Sequence, residues 1–177
     1  TAAHGNVIAG QSGAGDSGIN IAEASDNVEV RNNRIGTNAA GTAALGNETD
    51  IRIDGGDDAT IEANLVSGNT GDGILVGPTS NTTTILANII GLDATGAAAL
   101  GNGGSGVDIN AAASTTIGDN TVAERNFISS NGQSGIVGRG GATGLLVVNN
   151  YIGLATDGTT ARVNTGDGIQ LQDADGA

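Results

Sequence analysis

One phrase recurs along the chain and limits its fold more than any other feature. It runs from an Asn-x-Ile triplet through a Gly- and Asn-rich bend to a Gly-Ile pair. Its clearest form is Asn126-Phe-Ile-Ser-Ser-Asn-Gly-Gln-Ser-Gly-Ile136, with a near copy at Asn64–Ile74 and a looser one from Asn6. A longer form replaces the bend with an arm, as in Asn33-Arg-Ile-Gly-Thr-Asn-Ala-Ala-Gly-Thr-Ala-Ala-Leu-Gly-Asn47, echoed from Asn88 and Asn150. Units of this size cannot bury an apolar face alone and do so by stacking on their neighbours.

The phase of the repeat is regular. The residue closing each phrase is Ile19, Ile51, Ile74, Val107, Ile136 or Ile169, at intervals of 32, 23, 33, 29 and 33 residues. An alternating stretch follows most of these, such as Ile51-Arg-Ile53 and Val107-Asp-Ile109, which turns the first and third side chains to one face of a strand. Ile136-Val-Gly138 departs by offering glycine inward. A second strand precedes each Asn-x-Ile, with Val30, Ile61, Ile85, Ala123 and Val147 three residues before the asparagine. Five residues before it stand Val28, Ala59, Thr83, Thr121 and Leu145. The third strand carries Ile8, Ile35, Val66, Ile90, Ile128 and Ile152. Strands this short are unstable singly, but each can pair with its counterpart one coil on at ~4.8 Å spacing. The expected fold is all-β: a right-handed parallel β-helix of about six coils of ~30 residues, three short strands per coil, roughly 29 Å long. A β-sandwich would instead need hairpin turns and strands every 8–12 residues or so.

Two sets of asparagines fall at fixed phases. Asn33, Asn64, Asn88, Asn126 and Asn150 are placed to form a ladder of stacked amides along the axis. Asn47, Asn69, Asn102, Asn131 and Asn164 close the following bend, where tolerance of left-handed backbone angles suits a tight corner. Two residues before each closing Ile or Val stands Ser17, Thr49, Asp72, Ser105, Ser134 or Asp167, whose short oxygen-bearing side chains can satisfy bend amides. Asp93 and Asp157, in the arms, read as turn formers.

Composition narrows the function. Nineteen acidic groups face six arginines and no lysine, a net charge of −13, which disfavours nucleic acid and anionic membranes as partners. There is no cysteine, hence no disulfide framework or zinc–thiolate site. No apolar run approaches the ~20 residues of a membrane span, so no membrane insertion is expected. Phe127 and Tyr151 are the only aromatic residues, and His4 the only histidine. Residues 1–177 read as a single β-solenoid segment of a longer array, with neither end supplying a polar cap.

The phrases Arg125–Ile136 and Asn88–Asn102 resemble repeats of large secreted bacterial proteins, the right-handed β-helix repeat proteins of the pectin-lyase-like superfamily. The resemblance covers essentially the whole chain. It implies the fold and an extracellular or cell-surface location, while the superfamily spans lyases, hydrolases, tailspikes, adhesins and non-catalytic arrays. Polygalacturonase-like hydrolases carry Asn-Thr-Asp-Gly, an acidic pair, Gly-His-Gly and Arg-Ile-Lys. Here Asn69-Thr-Gly-Asp-Gly73 and Asn164-Thr-Gly-Asp-Gly168 each contain an extra glycine, and the lysine is missing. Lyases of this fold hold Ca²⁺ with acidic side chains. The densest acidic stretch, Asp54-Gly-Gly-Asp-Asp58, makes Asp54, Asp57 and Asp58 the candidate calcium ligands, with Asp50 and Arg52 nearby in sequence and Asp26 or Glu29 on an adjacent coil.

The expectation is therefore a non-enzymatic, extracellular structural or adhesive β-solenoid, a stiff acidic rod or filament segment. It requires no cofactor beyond an optional Ca²⁺ and associates with copies of itself end to end. The alternative is a carbohydrate-active or carbohydrate-binding β-helix with a surface polysaccharide laid along one face.

Overall fold

The computed structural model describes residues 5–176; His4 lies outside them. Every named strand of three long sheets pairs in parallel with its counterpart one coil on, so the chain winds as a solenoid. Sheet 1 holds Ser17–Ala22, Thr49–Asp54, Ile74–Val76, Val107–Asn110, Ile136–Arg139 and Ile169–Leu171. Sheet 2 holds Glu29–Arg31, Thr60–Glu62, Thr84–Leu86, Thr116–Ile117 and Leu146–Val147. Sheet 3 holds Val7–Ile8, Arg34–Ile35, Leu65–Val66, Ile89–Ile90, Phe127–Ile128 and Tyr151–Ile152. Six rungs in two sheets and five in the other make about five complete turns, slightly fewer than the six coils expected. A minor two-stranded sheet joins Ala142–Thr143 to Ala174–Asp175.

The pairing register matches like with like. Ile19 lies beside Ile51, Ile51 beside Ile74, Ile74 beside Val107, Val107 beside Ile136, and Ile136 beside Ile169. Period-two alternation turns these residues inward, where Ile35, Ile51, Ile53, Ile61, Ile74, Ile85, Ile90, Ile109, Ile117, Ile128 and Ile136 are fully buried. Burying such a side chain stabilises the fold by roughly 1.5–3 kcal/mol, and β-branched residues suit the pleated surface. Gly138 faces inward because a Cβ there would stand 3.1 Å from both Leu145 and Leu171. Leu145 fills the space that Ala59, Thr83 and Thr115 leave in the other coils.

One stretch of the expected phasing is corrected. Ala123 and Thr121 are exposed and do not point inward. Ile117 takes the inward place beside Ile85 and Val147, with buried Thr115 two residues before it. A six-residue insertion separates Ile117 from Asn126 relative to the other coils, and it includes a 3₁₀ turn at Val122–Glu124. The apolar Val-Ala pair at 122–123 imitates an inward strand, but Val122 is largely solvent-exposed.

The three arms, 36–47, 91–102 and 153–164, are hairpins closed by the bridges Thr37–Ala44, Leu92–Ala99 and Leu154–Ala161. They stack on one another although they leave alternate coils. The Ala94 N–H donates to the Gly41 carbonyl at 2.8 Å, and the Thr156 N–H to the Gly96 carbonyl at 3.0 Å. No helix of the described residues is long and apolar enough to cross a membrane.

Candidate functional site

The asparagines buried in this molecule form two columns. In the first, the backbone and side-chain N–H groups of Asn33 both donate to Asn64 Oδ1, at 3.0 and 3.1 Å. The pattern repeats from Asn64 to Asn88, Asn88 to Asn126 and Asn126 to Asn150. The second amide proton of Asn64, Asn88, Asn126 and Asn150 goes to the carbonyl of Val30, Ile61, Ile85 and Ile117 respectively, at 2.7–2.8 Å. Each central asparagine thus satisfies its whole hydrogen-bonding capacity without water. The residue before the column takes positive φ at Asn32, Ala63, Ala87 and Asn149, which turns the chain sharply from sheet 2 into sheet 3.

The second column is Asn47, Asn69, Asn102, Asn131 and Asn164. These residues were expected only as bend closers able to take left-handed angles. None of them has positive φ; they form a second amide ladder. Asn69, Asn102 and Asn131 each donate backbone and side-chain N–H groups to Oδ1 of the next member, at 2.7–3.3 Å. This ladder explains the glycine preceding each closing residue. A Cβ on Gly18, Gly73, Gly106 or Gly135 would come within 2.8–2.9 Å of a ladder amide nitrogen.

Asp50 stands at that glycine position in one coil. It is fully buried, and its carboxylate accepts from Asn47 Nδ2 at 2.8 Å and from Asn69 Nδ2. Burial pushes its pKa well up, against the lowering effect of the two amides.

The structure does not gather Asp54, Asp57 and Asp58 into a metal site. Among the described residues no three His, Cys, Asp or Glu side chains are placed to hold an ion. Asp54 pairs with Arg52, and Asp57 accepts from Asn81 Nδ2 at 2.9 Å. Asp58, at φ 60°, is exposed on the bend. Asp50 lies at the other end of its strand from Asp54, in the ladder. Asp26 does reach this bend, accepting from the Asp57 N–H at 3.0 Å, whereas Glu29 pairs with Arg31.

The aspartates of the bends and arms bond backbone amides. Asp93 accepts from Thr95 Oγ1 and from the Ala97 and Ala98 N–H groups, and Asp157 from Thr160 Oγ1 and the Thr159 and Thr160 N–H groups. Burial raises the Asp93 pKa, but bonds from Thr95, Ala98 and Ala97 outweigh it and the net direction is down. The bonds from Thr160, then Thr159, hold Asp157 far below the usual carboxylate range.

One unrepeated polar group was not anticipated. Asp108, on the outer face of sheet 1, is nearly buried beneath Arg139, which forks onto both carboxylate oxygens at 2.7–3.1 Å. The register contains the signal: Asp108 lies beside Val137, so Arg139 is its diagonal neighbour. Asp72 lies in the same field. Desolvation raises its pKa, the 2.7 Å bond from the Ser105 N–H lowers it, Asp108 raises it and Arg139 lowers it, for a net rise. Of the remaining arginines, Arg34 and Arg125 tie the first arm and the insertion to the body, and Arg162 ties the third arm to the second. Arg34 donates to the Ala39 carbonyl, Arg162 to that of Ala97, and Arg125 to that of Asn149 while stacking 3.8 Å above the Tyr151 ring.

The family model described as "Right handed beta helix region" matches residues 3–152. No curated protein and no solved structure matches the chain significantly.

Proposed function

Because the chain belongs to the right-handed beta helix family, we propose that it works as a structural segment of an extracellular or cell-surface β-solenoid, a stiff acidic rod with an adhesive or filament role. What supports this is the unbroken register. Both amide ladders and the arm stack run from coil to coil, and most charged or amide side chains serve the scaffold itself. A rod stitched by continuous parallel pairing resists bending, and a net charge of −13 keeps neighbouring rods apart. No step in this role uses a cofactor. End-to-end association of such rods, one coil pairing in parallel with the next, belongs to the same reading. Electron microscopy of the purified protein tests the reading: one chain spans only roughly 29 Å along the axis, so straight end-to-end fibres are expected, and isolated compact particles would refute it.

A second reading rests on Asp72, Asp108 and Arg139. Two carboxylates, one with a raised pKa, beside a guanidinium on a sheet face are the kind of group a glycan-acting site uses. Under it, Asp108→Asn would abolish binding or turnover of an acidic polysaccharide while leaving the fold intact.

A further inference from the structure

Two rungs of the second amide ladder are built from a dipeptide that modifies itself when it is free to move. Asn102 and Asn131 are each followed by glycine, whereas Asn47, Asn69 and Asn164 are followed by Glu48, Thr70 and Thr165. In the first ladder Arg34, Leu65, Ile89, Phe127 and Tyr151 take that place. With no side chain on the following residue, its backbone nitrogen swings readily onto the asparagine carboxamide. In an open chain that nitrogen, its proton lost to solvent, attacks Cγ, ammonia leaves and a cyclic imide forms. Water then opens the ring at either carbonyl, giving aspartate or iso-aspartate. The coil stack demands these glycines nonetheless. A Cβ at Gly103 would stand 2.2 Å from the Thr70 carbonyl oxygen, and one at Gly132 2.3 Å from that of Gly103.

We propose that Asn102 and Asn131 are latent self-modification sites: the ladder holds them inert in the folded coils, and opening of those coils converts them and makes the opening irreversible. Each requirement of the reaction is blocked in the stack. The attacking nitrogens are engaged, the Gly103 N–H donating to the Asn69 carbonyl at 2.8 Å and the Gly132 N–H to the Asn102 carbonyl at 2.7 Å. The carboxamides are held from both sides. Asn102 Oδ1 accepts from the Asn69 backbone and side-chain N–H groups, while its Nδ2 donates to Asn131 Oδ1 and the Val66 carbonyl. Asn131 is held in the same way between Asn102 and Asn164. Both side chains are buried, which keeps out the water that the second step consumes. The products do not fit the place they came from. Aspartate at 102 lacks the amide donors, so one carboxylate oxygen would face the acceptors Asn131 Oδ1 and the Val66 carbonyl; at 131 it would face Asn164 Oδ1. Iso-aspartate adds a backbone carbon to a stack whose strands are paired residue for residue.

The test incubates the whole chain in mildly alkaline buffer, folded and in denaturing urea, and reads conversion at each asparagine by peptide mass spectrometry with iso-aspartate labelling. In urea, Asn102 and Asn131 should convert ahead of every other ladder asparagine. In the folded chain both should convert slower by at least about a hundredfold, because reaction waits on a rarely populated opening. Asn164→Ala removes the acceptor of the Asn131 donors and should raise folded-state conversion at Asn131 more than at Asn102. After the urea is diluted, converted chains should fail to regain hydrogen-exchange protection at Gly103 and Gly132, while unconverted chains from the same sample regain it. No conversion in urea, equal rates in the folded and unfolded chain, or converted chains that refold fully would each overturn the proposal. If Asn164→Ala does not fold, the native chain alone decides all three points.

Discussion

At the scale of single residues, a buried asparagine and a buried threonine have opposite consequences in this core. Asn88 is fully buried and every hydrogen-bonding group of its side chain is used. Asn88→Ala strands the Asn64 donors and the Ile61 carbonyl, at about 1–3 kcal/mol for each group left unpaired. Chemical denaturation should show the variant among the most destabilised of any single ladder change. Thr83 and Thr115, stacked in adjacent coils, are equally buried, but their hydroxyls find no partner. Replacing both with valine keeps the shape and removes the desolvated oxygens, so thermal unfolding should show a gain of up to about 1 kcal/mol per site. The sequence carried the periodicity of both columns, because spacing and residue type sufficed to mark Asn33–Asn150 as a ladder position. It did not reveal the role of Asp50. A carboxylate beside an acidic bend reads as solvated until the three-dimensional course of the strand carries it to the opposite end from Asp54.

At the scale of elements, the arms are the parts not dictated by the core. Their turns depend on a single carboxylate or amide bonded to successive backbone N–H groups: Asn38, Asp93 and Asp157. Asp93 and Asp157 have depressed pKa values, so the stability they contribute is present above about pH 4 and is lost as the pH falls through their folded-state values. Hydrogen exchange below pH 4 should therefore show loss of protection in Ala97, Ala98, Thr159 and Thr160 before any change in the three sheets. An Asp157→Asn variant should show the effect in the third arm already at neutral pH. Arm lengths and turn residues were legible from the chain. Arm stacking was not, because it is carried mainly by backbone bonds from Ala94 to Gly41 and from Thr156 to Gly96, which residue types alone do not announce. The misplaced strand at Ala123 has a similar origin: local alternation at 121–123 competes with Thr116–Ile117, and only the register beside Ile85 decides between them.

At the scale of the whole molecule, the scaffold consumes most of the chemistry the sequence offers. Arg31 and Arg52 hold surface carboxylates, pairs that contribute little individually. The two ladders use the buried amides, and the bend and arm aspartates bond backbone N–H groups. What is left unrepeated is the Asp108–Arg139 pair on the outer face of sheet 1, with the bend residue Asp72 in its field, the place where the structural and carbohydrate readings diverge. Fold class was readable from the repeat because a period near 30 with like residues at like phases has few other solutions. Function was less readable, since a repeated phrase reports the scaffold and a site would be marked only by its exceptions. The most direct measurement is release of new reducing ends or unsaturated uronide from a panel of acidic polysaccharides, with Ca²⁺ added. A structural rod predicts no product from any of them, for the native chain and for Asp108→Asn alike. Product formed by the native chain and lost in Asp108→Asn would contradict it.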